Sequence, residues 1–295
     1  MTGRFGQLIT AMVTPFDDQN RVDLDRAQEL ANWLVDNGSD GLVLAGSTGE
    51  AATLSDEEKV SLWRSVTEAV GHRANVIAGT GTYDTAHSVH LSKQAAKVGV
   101  KALLLVTPYY NRPPQSGLIA HFEAVAGATD LPVILYDIPI RSARKIEHET
   151  IIKLAEVPNI VAIKDACGDA QGAARLVRDA PEGFEIYSGN DGDTLPWLSV
   201  GAVGVISVSS HVVGPQMAEM ISLFHAGDAR AARKIHNDLM SVFDAINMTT
   251  TNPIPLKAAL EMLGQKVGDP RLPLVPATPQ EQDKIREVLV RAGVL

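Results

Sequence analysis

Residues 158–165, with the sequence PNIVAIKD, combine the features of a buried strand with a lysine at its end. A short run of apolar, β-branched residues between Pro158 and Gly168 is typical of a strand inside a parallel sheet. Lys164 follows the run directly, so its ammonium would lie at the edge of an apolar layer. Burial there destabilises the charged form and favours a neutral amine, which attacks carbonyl groups. These residues alone leave open the alternative of a solvated lysine that pairs with Asp165.

Short apolar runs of the same kind recur along the chain, separated by amphipathic segments. Eight runs are candidate strands: residues 8–13, 42–45, 76–78, 102–106, 133–136, 160–163, 184–187 and 203–208. Candidate helices lie between them at residues 25–37, 56–70, 85–97, 117–126 and 148–155. Eight strand–helix units predict an α/β fold, a (β/α)8 TIM barrel. A doubly wound open sheet is the alternative, and it is disfavoured because no glycine-rich phosphate motif follows the first strand.

The last part of the chain carries helical patterns and no further strand. These patterns cover residues 213–226, 228–247, 255–264 and 279–292. We therefore predict two domains, a catalytic barrel over residues 1–225 and a C-terminal helical domain over residues 226–295.

Composition narrows the classes of partner and location. The 295 residues carry a formal net charge of −9, with no Lys/Arg cluster, so we expect neither nucleic-acid nor membrane binding. Cys167 is the only cysteine, which excludes an internal disulfide and a cysteine-based metal cluster. No histidine spacing suggests a metal site. The N-terminus lacks a signal-peptide pattern and no apolar run reaches membrane-spanning length, so we expect a cytoplasmic protein.

Catalytic groups of such barrels lie at the C-terminal ends of the strands, which is where Lys164 is predicted. The second strand is followed by residues 46–50, GSTGE, in which two glycines flank Ser47 and Thr48. Glycines there let backbone N–H groups approach a small anion such as a carboxylate. A plain tight turn before a helix is the alternative interpretation of this motif.

The fourth and fifth strands end in tyrosines and an arginine. Residues 107–114 read TPYYNRPP and residues 136–141 read YDIPIR. Tyr110 and Tyr136 offer hydroxyl groups, and Arg141 can bind a carboxylate through two parallel hydrogen bonds. Small residues end the seventh and eighth strands and leave room for a ligand. The combination predicts a site where an amine attacks the carbonyl of a carboxylate-bearing substrate.

These segments, together with residues 163–166, 204–207 and 252–260, resemble the dihydrodipicolinate synthase (4-hydroxy-tetrahydrodipicolinate synthase) family. The similarity extends from about residue 6 to the C-terminus, and its details are most similar to actinobacterial members. The lysine and the Gly-x-Thr-Gly-Glu motif are shared with the wider superfamily that includes N-acetylneuraminate lyase. The double tyrosine and the Arg141 motif are more specific to the synthases.

The resemblance implies a lyase of the class I aldolase type, in lysine and diaminopimelate biosynthesis. Such an enzyme condenses pyruvate with L-aspartate 4-semialdehyde. It needs no cofactor and no metal, because the imine formed with pyruvate acts as the electron sink. A homotetramer, built as a dimer of dimers, is also implied.

The resemblance further implies roles for individual residues. Lys164 would form the Schiff base, and Ser47, Tyr136 and Tyr110 would form a proton relay in which Tyr110 reaches the site of a neighbouring subunit. Thr48, together with Ser47, would bind the pyruvate carboxylate, and Arg141 would bind the semialdehyde carboxylate. Gly189 and Ile206 would line the pocket.

Three positions depart from the family pattern. Ser47 replaces threonine but keeps the hydroxyl, and Asn190 replaces the more usual aspartate. Ile140 replaces a small residue beside Arg141 and would narrow the second-substrate pocket. The alternative function, another pyruvate aldolase or a keto-deoxy-sugar-acid dehydratase of the same superfamily, therefore stays open. A catalytically inactive binding protein is the non-enzymatic alternative, and the intact Lys164 and Arg141 motifs disfavour it.

A last expectation concerns feedback control by lysine. In lysine-regulated relatives, the positions that match Asp56, Lys59, Tyr83 and His87 carry His, His, Asn and Glu. His87 occupies the position of the glutamate that would accept the effector's ammonium, and Lys59 adds a positive charge. We therefore expect weak or no inhibition by lysine.

Overall fold

Eight parallel strands close into a barrel in chain order. The computed structural model describes residues 3–295, so the first two residues of the predicted barrel domain lie outside it. The strands are β1 Leu8–Ala11, β2 Gly41–Leu44, β3 Asn75–Gly79, β4 Ala102–Val106, β5 Val133–Asp137, β6 Ile160–Asp165, β7 Glu185–Ser188 and β8 Gly204–Ser207. Each strand pairs with the next, and β8 pairs with β1 to close the ring. The predicted TIM barrel is confirmed.

Helices surround the barrel between the strands. They are α1 Leu24–Asp36, α2 Asp56–Val70, α3 Thr85–Lys97, α4 Gln115–Ala126, α5 Pro139–Ser142, α6 His148–Ala155, α7 Ala170–Asp179, α8 Thr194–Val200 and α9 Ser210–His225. A capping box begins α2, since the Ser55 hydroxyl accepts from the N–H of Glu58 and the Glu58 carboxylate accepts from the N–H of Ser55. Helices α5, α7 and α8 did not stand out in the sequence, because they are short or contain Gly172 or Pro196.

Alternation along the strands decides which side chains enter the barrel. Ile134, Tyr136 and Ala162 belong to the inner apolar cluster, whereas Leu135 and Ile163 pack against the outer helices. Lys164 lies two residues beyond Ala162, so its side chain points into the barrel. Asp165 follows and faces away from the barrel interior.

The sixth strand is longer than its apolar run. The predicted strand ends at residue 163, with Lys164 at its edge, but β6 continues to Asp165. The extension is held by β5, because Tyr136 is paired with Lys164 and Asp137 with Asp165. Lys164 is therefore fixed inside a strand by neighbours on both sides, since it also pairs with Tyr187 of β7.

Three more helices follow the barrel: α10 Ala229–Met248, α11 Ile254–Met262 and α12 Pro279–Arg291. Helix α10 packs along α9, and α12 packs against both α10 and α11. The division into two domains at residue 225 stays a prediction. Across residues 3–295, every helix is too short or too polar to cross a membrane.

Candidate active site

The carboxyl ends of the strands surround an open cavity of about 700 Å³. Six of the eight predicted site residues line it: Ser47, Thr48, Tyr136, Arg141, Lys164 and Gly189. They come from the ends of four strands, β2, β5, β6 and β7, which the closed barrel brings together.

Lys164 lies at the base of this cavity and is 4% exposed. Burial lowers the pKa of its amine to about 8; the negative charge of Asp191 opposes this shift and the positive charge of Arg141 adds to it. Asp165 does not pair with it, because its carboxylate accepts from the N–H of Cys167 at 2.9 Å instead. The alternative of a solvated strand-end lysine is therefore wrong.

Tyr136 is the neighbour of Lys164 on β5 and is also buried. Burial raises the pKa of its phenol to about 12, against the opposing effects of the Arg141 charge and a hydrogen bond with Ser47. The phenol therefore keeps its proton at neutral pH and can donate it. Lysine amine, tyrosine hydroxyl and serine hydroxyl thus adjoin one another in the cavity wall.

The turn of residues 46–50 presents Ser47 and Thr48 to the cavity. Thr48 is buried, and its Oγ1 accepts a hydrogen bond from Nδ2 of Asn252 at 2.9 Å. The carbonyl of Gly49 accepts from the hydroxyl of Thr14 at 2.7 Å, which ties the turn to the end of β1. These contacts fix the backbone of the turn beside the cavity.

Glu50 anchors the same turn from below, a role that the sequence did not reveal. It has a left-handed backbone (φ 57°), and its Oε1 lies 2.8 Å from Nζ of Lys257. Its Oε2 accepts from the N–H of Arg271 at 2.8 Å. Both cations also face the ring of Phe16, with Lys257 Nζ at 4.2 Å and Arg271 Cζ at 4.4 Å from its centroid.

Arg141 lies at the rim of the cavity. Its Nη2 donates to the backbone carbonyl of Asn252 at 3.3 Å, so a loop after α10 helps to orient the guanidinium. The neighbouring Ile140 also lines the cavity and is 91% exposed. The rim therefore combines a cation that suits a carboxylate with a bulky apolar side chain.

Two predicted residues do not line this cavity. Tyr110 is 92% exposed and has a left-handed backbone (φ 71°), so its ring projects from the surface of its own chain. Ile206 is fully buried in the inner apolar cluster with Tyr136, below the cavity.

Gly189 lines the cavity, and its N–H donates to the carbonyl of Asp165 at 2.7 Å. A Cβ at Gly189 would lie 2.7 Å from that of Ala166, so only glycine fits this close approach.

Asp191, Asn247 and Asn252 are cavity residues that sequence reasoning missed. Asp191 directly follows Gly189 and Asn190, but its hydrogen-bond donors lie in β8, in the segment after it and in α10. Asn247 and Asn252 come from the helical region, where no strand rhythm marks the site. The one available signal was the resemblance of residues 252–260 to the family.

Cys167 lies outside the cavity, behind β5 and β6. Its thiol donates to Oδ2 of Asp137 at 3.1 Å, and burial raises the pKa of the thiol. The sulfur is therefore held as a protonated donor. Across residues 3–295, no three His, Cys, Asp or Glu side chains are grouped to hold a metal ion.

Comparison with known proteins places this geometry in a family. The model of the Dihydrodipicolinate synthetase family matches residues 4–292. A 4-hydroxy-tetrahydrodipicolinate synthase of Moorella thermoacetica is 51% identical over 292 residues, covering 99% of this chain and 100% of the relative. One from Mycobacterium leprae is 52% identical over 295 residues, covering 99% and 96%.

Solved structures agree with the sequence relatives. A dihydrodipicolinate synthase of Bacillus anthracis superposes with a TM-score of 0.95 at 46% identity, covering 98% of this chain and 99% of the other. A lysine-bound enzyme of Cyanidioschyzon merolae superposes with a TM-score of 0.97 at 45% identity, covering 100% of both chains. The resemblance of the motifs is confirmed, and the chain belongs to the dihydrodipicolinate synthetase family.

Proposed function

We propose that the chain condenses pyruvate with L-aspartate 4-semialdehyde to 4-hydroxy-tetrahydrodipicolinate, in the biosynthesis of lysine and diaminopimelate. The observation that carries the proposal is the buried Lys164 beside Tyr136 at the base of the cavity. A lysine amine with a pKa of about 8 is neutral often enough near pH 7 to attack a ketone. The two synthases described above, which are 51% and 52% identical to this chain over 99% of its length, support the choice of reaction.

In the first half of the reaction, the neutral Nζ of Lys164 attacks C2 of pyruvate. The carboxylate of pyruvate is held by backbone N–H groups of the turn that carries Ser47 and Thr48. Tyr136 supplies a proton to the departing hydroxyl, so that water leaves and an imine forms. Loss of a proton from the methyl group then gives an enamine.

In the second half, the enamine carbon attacks the aldehyde carbon of the semialdehyde. Arg141 binds the semialdehyde carboxylate through its guanidinium and so orients the aldehyde. The amino group of the semialdehyde then displaces Lys164 from the imine carbon, which closes the ring and frees the lysine. Ser47 and Tyr110 complete the proton path with Tyr136, and Gly189 leaves space for the substrates.

We further propose a cytoplasmic homotetramer arranged as a dimer of dimers. The exposed ring of Tyr110 supports an oligomer, because a large side chain that projects from the surface can reach a neighbouring subunit. This assembly would complete the proton relay in each cavity.

A second candidate function rests on Ile140. Its exposed side chain at the rim favours an aldehyde of different shape, as in another pyruvate aldolase or a keto-deoxy-sugar-acid dehydratase. Both candidates use Lys164 in the same way, so they differ only in the second substrate.

Reductive trapping followed by an aldehyde panel tests these candidates. Pyruvate with borohydride should add one reduced adduct on Lys164 and none in Lys164→Ala. L-aspartate 4-semialdehyde should be the best of the aldehydes tested. Preference for a sugar-derived aldehyde would support the second candidate, and Ile140→Gly should then change the preference. An adduct on a different lysine would contradict both candidates.

A further inference from the structure

Asp191 shares the cavity wall with Lys164, and the steps described so far do not use it. It lies at the start of a 3-10 turn, Asp191–Asp193, and is 3% exposed. A buried carboxylate in a cavity that binds carboxylate-bearing substrates repels them. Its presence therefore calls for a compensating role.

The carboxylate of Asp191 accepts four hydrogen bonds. Oδ1 accepts from the hydroxyl of Ser207 at 2.5 Å and from the N–H of Val208 at 3.2 Å. Oδ2 accepts from the N–H of Ser209 at 2.9 Å and from Nδ2 of Asn247 at 3.0 Å. An ionised carboxylate accepts hydrogen bonds and does not donate them, so the four donors around Asp191 match its ionised form.

This charge acts on Lys164. Within residues 3–295, no lysine or arginine forms an ion pair with Asp191, so its charge is not cancelled locally. The charged groups that act on the Lys164 amine are Asp191, which favours its cationic form, and Arg141, which disfavours it. Tyr136 covers the amine from β5, and the less buried Asp193 and Asp244 also line the cavity.

We propose that Asp191 is a positioning residue whose fixed charge stabilises the protonated imine formed on Lys164. The inference rests on the proposed function, because it concerns the same imine. When the amine attacks C2 of pyruvate and water leaves, the C=N nitrogen keeps a proton and a positive charge. Removal of a methyl proton then moves the C–H electron pair into a C=C bond and the C=N π electrons onto nitrogen. The positive nitrogen is the electron sink, and Asp191 is its counter-charge.

Removal of this charge should affect the two steps in opposite directions. The free amine should become easier to deprotonate, so imine formation should extend to lower pH. The protonated imine should lose its counter-charge, so enamine formation should slow. A residue that only supports the fold would not produce this split.

Asp191→Asn tests the split, because it keeps the size of the side chain and removes the charge. Imine formation at limiting pyruvate is measured by borohydride trapping from pH 6 to 10. Its midpoint should move down by about one pH unit when a charge in the same cavity is lost. Exchange of the pyruvate methyl protons in D2O, followed by NMR at saturating pyruvate, should slow by about tenfold or more.

Two further variants keep the test decisive. Ser207→Ala removes one hydrogen bond from Asp191 but keeps its charge, so its midpoint should match the wild type within about 0.3 pH unit. Asn190→Asp adds a negative charge in the same cavity wall and should raise the midpoint. This variant still tests the effect of a wall charge on Lys164 if Asp191→Asn fails to fold. An unchanged midpoint in folded Asp191→Asn would overturn the inference, and so would an unchanged midpoint in Asn190→Asp if Asp191→Asn does not fold. Absence of any adduct in the wild type would instead contradict the proposed function.

Discussion

Tyr136 and Lys164 are paired between β5 and β6, and Nζ of the lysine lies 4.4 Å from the centroid of the tyrosine ring. Burial shifts the two pKa values in opposite directions, because it destabilises the charged form of each group, which is a cation for lysine and an anion for tyrosine. The lysine pKa falls to about 8 and the tyrosine pKa rises to about 12. Between these values the pair offers a free amine next to an intact phenol, which is the combination that imine formation requires.

The first prediction is a pH profile for imine formation. A pKa of about 8 leaves roughly a tenth of Lys164 neutral at pH 7, far more than an unperturbed lysine. The rate of trapping with limiting pyruvate should rise about tenfold per unit below pH 8 and level off above it. A midpoint above pH 9.5 would show that the amine is not desolvated in solution.

The second prediction separates the two substrates at Arg141. Arg141→Ala should lower kcat/KM for L-aspartate 4-semialdehyde by about 100-fold, because a charge-assisted, bidentate contact is lost. On the high-pH plateau, where the amine is neutral in both proteins, trapping with pyruvate should stay within about twofold of the wild type, because imine formation does not use the guanidinium as an anion site. The midpoint of the pH profile should rise, because the Arg141 charge helps to lower the pKa of Lys164. Arg141→Lys should recover only part of the loss. An equal fall in both activities would mean that Arg141 acts through the fold, for example through its contact with Asn252.

The third prediction concerns Tyr110 and uses subunit mixing. Tyr110→Phe and Lys164→Ala should each be nearly inactive, but re-associated mixtures should recover about a quarter of wild-type activity, since half of the dimers are hybrids with one intact site.

The matched control for this mixing combines Tyr136→Phe with Lys164→Ala. Both residues belong to the cavity of their own chain, so no hybrid site is intact and no activity should return. No recovery with Tyr110→Phe would place Tyr110 outside the relay of a neighbouring subunit. Recovery in the control would show that the mixing experiment does not report on sites shared between subunits.

The fourth prediction is insensitivity to L-lysine. His87 Nε2 lies 2.8 Å from Oδ1 of Asp56, so the carboxylate that could receive a ligand's ammonium already has a partner. Lys59 is buried nearby, and burial lowers the pKa of its amine. Loss of a charge-assisted hydrogen bond costs about 1.5–3 kcal/mol, enough to remove millimolar affinity when several are lost. Half-inhibition below a few millimolar L-lysine in an activity assay would contradict this.

The fifth prediction concerns the ion pair of Glu50 and Lys257, whose side chains are 1% and 3% exposed. Glu50→Gln should lower the free energy of unfolding by about 3–5 kcal/mol, because it leaves a buried lysine unpaired. The double variant Glu50→Gln, Lys257→Met should recover much of this loss, since both charges are gone. Chemical unfolding of the three proteins measures the effect, and a change below 1 kcal/mol in Glu50→Gln would disprove it.

Sequence patterns predicted the parts of the structure that repeat. Buried parallel strands are apolar on both faces, so all eight were recognisable, and Lys164 and Tyr136 followed because they extend two of those runs. Depth in the barrel was not predictable in this way. Ile206 was expected to line the cavity, but alternation alone does not tell the mouth of a barrel from the layer beneath it.

Polar residues that act across long sequence separations were harder to find. Asp191 and Glu50 each have a partner in the helical region. Asn247 donates a hydrogen bond to Asp191, and Lys257 forms an ion pair with Glu50. Neither pair has a local spacing or period that a sequence pattern could reveal. Such contacts are fixed only when the whole chain is folded.

This dependence on the helical region has a consequence for protein synthesis. A nascent chain leaves the ribosome from its N-terminus, so all eight strands emerge before Asn247, Asn252 and Lys257. A barrel formed at that stage has the nucleophile in place, but Asp191, Thr48 and Glu50 each lack a partner that holds them in the finished protein. Translation that stops after β8 would therefore leave the mouth of the site unfinished, and only the last part of the message allows the site to assemble.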